Sequence, residues 1–126
     1  MFGNHHHHRR VLVVEDEWIV RVEAAACLME AGFDVVQAVD AAEALEIVQG
    51  RDDIDLLFTD INMPGSMNGV ELARRVHRAR PAMRLILTSG ETKPSASELP
   101  IDGDFIPKPY SPDTVTAAVN RQLAVA

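Results

Sequence analysis

Four short apolar runs in this chain each end in residues that can do chemistry. Val11-Leu12-Val13-Val14 runs into Glu15-Asp16, and Leu56-Leu57-Phe58-Thr59 runs into Asp60. Leu85-Ile86-Leu87 is followed by Thr88-Ser89, and Phe105-Ile106-Pro107 by Lys108. Brought to one edge, three carboxylates, a hydroxyl and an amine have a definite use. Crowded carboxylates raise one another's pKa unless a cation joins them. Hard oxygen ligands at few positions suit Mg²⁺, which keeps several waters and tends to bridge to phosphate. An amine and a hydroxyl beside them hold phosphoryl oxygens, which equips the set for phosphoryl transfer by positioning and charge neutralisation. Asp60 is then the nucleophile, forming an aspartyl phosphate.

The elements that must position this set follow from periodicity. Val11 to Val14 is too short for a helix, whereas Trp18 to Ala31 has helical spacing and closes at Gly32. "DVVQAV" is a second strand, and Asp40 to Glu43 has capping-box spacing that opens a helix through Val48. "DLLFT" is a third strand, followed by the same spacing at Asn68 and Glu71. "RLILTS" and "DFIPK" are the fourth and fifth. Ser111-Pro112-Asp113 opens a last helix with Val115, Ala118, Val119 and Leu123 facing inward. Short apolar strands alternating with helices imply a parallel sheet covered on both faces. In such a sheet, polar chemistry gathers outside the carboxyl ends of the strands, where strand order reverses.

Composition narrows the function. The 126 residues suffice for one domain. A net charge of -7 argues against nucleic-acid binding through this domain, because a phosphate backbone is held by a surplus of Lys and Arg. No apolar run approaches the ~20 residues of a membrane helix. A single cysteine, Cys27, fits a reducing cytoplasm. Residues 1–8, with four consecutive histidines, read as a tag-like N-terminus, and the folded domain is expected over 9–126.

"VLVVEDE", "DLLFTDINMPG", "LILTSG" and "IPKPY", in this order at successive strand ends, resemble the receiver domain of two-component response regulators. The resemblance implies a doubly wound, flavodoxin-like sheet of five parallel strands. It implies that Asp60 accepts a phosphoryl group, in a Mg²⁺-dependent reaction, from a histidine kinase or a phosphotransfer domain. The chain then switches conformation to pass the signal to a downstream protein or acts as a phosphate sink, catalysing only its own phosphorylation and dephosphorylation. Glu15 and Asp16 match the acidic pair that serves the metal, with Asp60 and the backbone carbonyl of Asn62 completing its shell. Lys108 matches the lysine that contacts the phosphoryl group. Ser89, with Thr88 as the alternative, matches the switch hydroxyl. Phe105 stands at the aromatic switch position, where rotation must rest on packing because it has no hydroxyl. Asn62 and Glu91, two residues past Asp60 and Ser89, match the positions nearest the water that hydrolyses the phosphoryl group, and their pairing resembles the fast-resetting chemotaxis members.

The chain also departs from the pattern. "MPGSMNG" holds one more residue between Pro64 and Gly69 than is common. Pro94 and Pro100 leave room for at most a short turn, capped by Ser95 and Glu98, so the fourth helix is expected to be short or missing. On the first helix, Val20, Ala24, Cys27, Leu28 and Ala31 form one apolar stripe, while Ile19, Val22, Ala26 and Met29 form another on roughly the opposite side. A second stripe implies a partner: a kinase helix pair, or a second copy of this chain in a homodimer. Two rival readings keep the fold and change the function. One is an Asp-nucleophile phosphatase, which needs a second acid where this chain has Asn62. The other is a phosphorylation-independent interaction module of receiver shape.

Overall fold

The five apolar runs lie side by side in a single parallel sheet. In the computed structural model, which describes residues 8–90 and 103–124, the strands are β1 (Arg10–Val14), β2 (Asp34–Ala38), β3 (Leu56–Asp60), β4 (Arg84–Ser89) and β5 (Asp104–Pro107). Their order is β2-β1-β3-β4-β5, and every pair is parallel. The order reverses beside β1, so the crevice between β1 and β3 is the switch point of the sheet.

Helices cover both faces. Leu12, Val14, Leu57, Leu85 and Leu87 point to the face packed by α2 (Ala41–Gly50) and α3 (Gly69–Ala79). Val11, Val13, Leu56, Phe58 and Ile86 point to the face packed by α1 (Trp18–Glu30) and α4 (Pro112–Ala124). This two-sided burial explains why the strands read as unbroken apolar runs instead of alternating ones. All of β3 is buried, Asp60 included.

Local chemistry sets the helix ends. Asp40 accepts from the Glu43 N–H at 2.9 Å, while the Glu43 carboxylate reaches back to the Val39 N–H at 2.8 Å. Asn68 accepts from the Glu71 N–H at 3.0 Å, and Ser111 from the Thr114 N–H at 3.2 Å. Each cap satisfies a donor that has no partner within its helix. α1 ends at Gly32, whose φ of 99° suits glycine, with the Phe33 N–H returning to the Leu28 carbonyl. Within α4, the expected Val115, Ala118, Val119 and Leu123 are buried.

One expectation needs adjustment. The sheet-facing side of α1 is Ala24, Ala25 and Leu28, with Val20 and Cys27 half-buried and Ala31 exposed. Ala31 leaves the stripe because the helix has ended there. The second stripe stays in solvent: Ile19, Val22, Ala26 and Met29 are all exposed, next to an exposed Trp18. The expected short or missing fourth helix falls on residues 91–102, and the tag-like segment falls almost wholly on 1–7, outside the described residues.

Tyr110, the only tyrosine, lies against Phe58 with ring centroids 5.8 Å apart. Burial pushes its phenol up to about 12, with the Glu15 and Asp60 charges adding and Lys108 opposing. The unfolded chain therefore ionises first, and stability falls as pH rises above the ordinary value of 10. Phenolate absorbance is expected to rise with a midpoint near 12 in the native chain and near 10 in urea. A native midpoint equal to that in urea would place the ring in water.

Candidate functional site

The carboxyl ends of β1, β3, β4 and β5 carry the residues that the sequence singled out. Glu15 follows β1 and is buried, whereas Asp16 is exposed at the start of the turn into α1. Asp60 is the last residue of β3 and is 4% exposed, a carboxylate held at the end of a rigid buried strand. Carboxylate oxygens of Glu15, Asp16 and Asp60 all lie within 4.8 Å of one another. These are hard oxygen donors, part buried and part open to water, a set that fits a small divalent cation such as Mg²⁺.

Lys108 closes the cluster from β5. Its Nζ sits 2.7 Å from Glu15 Oε1 and 3.4 Å from Asp60 Oδ2. The Lys108-Pro109 bond that follows is cis. Glu15 is held further by the Glu17 N–H, which donates to Oε2 at 3.1 Å. Asp60 Oδ1 accepts from the Asn62 N–H at 3.3 Å.

The electrostatics follow the placement. Burial raises the pKa of Asp60, with the Asp16 charge adding to it and Lys108 opposing. Burial raises Glu15 as well, against the hydrogen bonds from Lys108 and the Glu17 amide. Burial alone would lower Lys108, but its bond to Glu15 and the charges of Asp60 and Glu15 outweigh that and raise it. Among the described residues, one ammonium thus faces two buried carboxylates, with a third acid close by. A dication at these oxygens would relieve the imbalance.

Thr88 and Ser89 are both buried at the end of β4. They differ in their contacts: Ser89 Oγ accepts a hydrogen bond from Asn62 Nδ2 at 2.7 Å, which ties it to the loop after Asp60. Thr88 Oγ1 has no hydrogen-bond partner among the described residues. Phe105 is half-buried against the cluster on the α2 and α3 side of the sheet. Glu91 lies outside the described residues.

Sequence reasoning missed two members of the site. The Asn62 side chain was weighed only as a neighbour of water, not as a partner of Ser89. Gly69 stands at the helix start that the Asn68 and Glu71 spacing marks, but its contact with Asp60 was not foreseen. A Cβ built there would lie 2.0 Å from the Asp60 carbonyl oxygen, so only glycine lets α3 start so close to the end of β3. A glycine directly after the Asn68 cap was the available signal.

Fold and site together define a doubly wound α/β domain with an acidic cluster and a lysine at its switch point. The chain belongs to the response regulator receiver domain family, whose model matches residues 11–120. It is 34% identical over 117 residues to the sensor kinase CckA of Brucella abortus, covering 90% of this chain and 12% of that protein. It is 33% identical to the aerobic respiration control protein ArcA of Escherichia coli, again over 90% of this chain and 48% of that protein. The chain therefore spans half or less of these curated relatives. Among solved structures, a response regulator receiver protein from Sinorhizobium medicae superimposes with a TM-score of 0.89 at 27% identity, covering 94% of this chain and 96% of that one. The receiver domain of the hybrid histidine kinase CckA gives 0.78 at 34% identity, covering 90% and 98%.

Proposed function

We propose that Asp60 is the phosphoacceptor of this receiver and that a histidine kinase or a phosphotransfer domain is the donor. The observation that carries this reading is the site of Asp60: a buried strand end, with Lys108 Nζ at 3.4 Å and the Glu15 and Asp16 carboxylates within 4.8 Å. An Asp60 carboxylate oxygen attacks phosphorus and forms the new O–P bond. The P–N bond to the donor imidazole breaks, and its nitrogen keeps the electron pair. Asp16, Glu15, Asp60 and the Asn62 carbonyl would hold Mg²⁺, which supplies positive charge to the phosphoryl oxygens in flight. Lys108 leaves Glu15 for the phosphoryl group, and Ser89 supplies a hydroxyl to it, with Phe105 repacking behind. The reaction belongs in the cytoplasm, and its output is a contact with a downstream protein or the draining of phosphate from a kinase. Incubation with a small phosphodonor and Mg²⁺, followed by intact-mass analysis, is expected to show one added phosphoryl group per chain. An unmodified mass would favour the phosphorylation-independent interaction module.

The exposed stripe on α1 fits the donor. Trp18, Ile19, Val22 and Met29 are 66%, 61%, 40% and 52% exposed, on a helix that begins two residues after Asp16. Replacing Val22 and Met29 with Lys is expected to slow transfer from the cognate kinase roughly five- to thirtyfold, the loss that about one to two kcal/mol of apolar contact supports. Labelling by a small donor should stay unchanged. Equal loss of both would indicate damage to the fold, and a change in oligomeric state without loss of transfer would assign the stripe to a homodimer.

The phosphoryl group is expected to be short-lived. Asn62 is exposed beside Asp60, and its amide, with the carboxylate of Glu91, can align an attacking water. Decay followed in the presence of Mg²⁺ should slow several-fold in Asn62→Met and in Glu91→Ala. Unchanged decay in both would show that these side chains do not set the lifetime.

A further inference from the structure

Both groups assigned to hold phosphoryl oxygens are engaged elsewhere in this structure. Lys108 Nζ lies closer to Glu15, at 2.7 Å, than to Asp60, at 3.4 Å. Ser89 Oγ takes a hydrogen bond of 2.7 Å from the side-chain amide of Asn62. The backbone of the same Asn62 is fastened to the acceptor, because its N–H donates to Asp60 Oδ1 at 3.3 Å. One exposed residue thus bridges the nucleophile and the buried serine across a separation of 27 residues. We infer that Asn62 is a latch on the switch: its side chain holds Ser89 in the resting position, and this bond must be given up for Ser89 to serve a phosphoryl group on Asp60.

The inference rests on the phosphoacceptor reading and adds a coupling to it. Swinging Ser89 toward Asp60 lengthens and then breaks a bond to a side chain anchored in the loop above. The amide released at that moment is the group proposed to orient the hydrolytic water. While Asn62 holds the serine, one of its two amide N–H groups is committed there, and once the serine moves that donor is released to serve water. Activation and reset are then joined in one side chain, which acts as a positioning residue in the resting state. A hydrogen bond between neutral groups is modest in net terms, so the latch biases the switch without locking it.

The test is a double-mutant cycle read by calorimetry, with beryllofluoride and Mg²⁺ as the probe of the phosphoryl-bound state. The variants are Asn62→Ala, Ser89→Ala and the pair. Asn62→Ala is expected to bind beryllofluoride roughly two- to tenfold more tightly than the parent, the range that loss of one neutral hydrogen bond supports. In the Ser89→Ala background the same substitution should change nothing, because there is no hydroxyl left to hold. Asn62→Met, which fills the space without a donor, should reproduce the gain. Generic damage to the site would weaken binding, the opposite sign. Unchanged or weaker binding in both Asn62 variants, or an equal change in both backgrounds, would overturn the latch. Failure of the parent itself to bind the probe would instead overturn the phosphoacceptor reading.

Discussion

Asp60→Asn is expected to take labelling by a small phosphodonor from one group per chain to background while leaving the fold intact. The amide has nearly the shape of the carboxylate, so the strand end stays filled, but it has no anionic oxygen to attack phosphorus. Glu15 and Asp16 remain, yet neither ends the central strand, and Glu15 is engaged by Lys108 and the Glu17 amide. The variant should also unfold at higher temperature than the parent without Mg²⁺. Burial raises the folded pKa of Asp60 above the ordinary value of 3.8. An acid whose folded pKa is raised keeps its proton in the native chain after the unfolded chain has lost it, so parent stability falls as pH rises through that window. Asn has no such loss, and the gap between the two proteins should open as pH rises above 3.8. Stoichiometric labelling of the variant at another residue, or stability curves that run parallel with pH, would remove Asp60 from its assigned place.

Asp16→Asn is expected to weaken Mg²⁺ binding and, with it, phosphorylation. Side chains that merely support metal ligands are worth roughly 10- to 100-fold in affinity, and a direct ligand is worth no less. Asp16 is exposed but its charge opposes that of Asp60, so the substitution should leave the metal-free fold at least as stable as the parent. Calorimetric titration with Mg²⁺ separates the two effects. A variant that binds Mg²⁺ as tightly as the parent would show that Asp16 is not a ligand.

The parts of this protein that could be read from sequence are those governed by neighbours along the chain. The caps at Asp40, Asn68 and Ser111 bond residues three positions away, and each is where the spacing placed it. The buried strands were legible because burial on both faces leaves unbroken apolar runs, and β3 into Asp60 is the plainest case. What could not be read depends on distances across the sheet. Glu15 and Lys108 are 93 residues apart, and that the amine lies nearer to Glu15 than to Asp60 depends on side-chain reach across the sheet. The bond between Asn62 and Ser89 depends on two rotamers that no local pattern fixes. On α1, helical spacing found both apolar stripes and Gly32 marked the end, but the inner stripe was carried one residue too far, to Ala31, which caps the helix and is exposed.

The close seat of Gly69 on the Asp60 carbonyl bears on how this protein can vary. Because α3 begins against the acceptor strand, and the Gly69 N–H bonds the Ile61 carbonyl at 2.9 Å, the intervening loop is pinched shut at its base. The chain between those points behaves like a staple whose legs are fixed and whose crown is not. Gly65, at a φ of 105°, turns the crown, where the extra residue between Pro64 and Gly69 lies. A side chain at the pinch would have no room, so any residue other than glycine there must push α3 and the end of β3 apart and carry Asp60 with it.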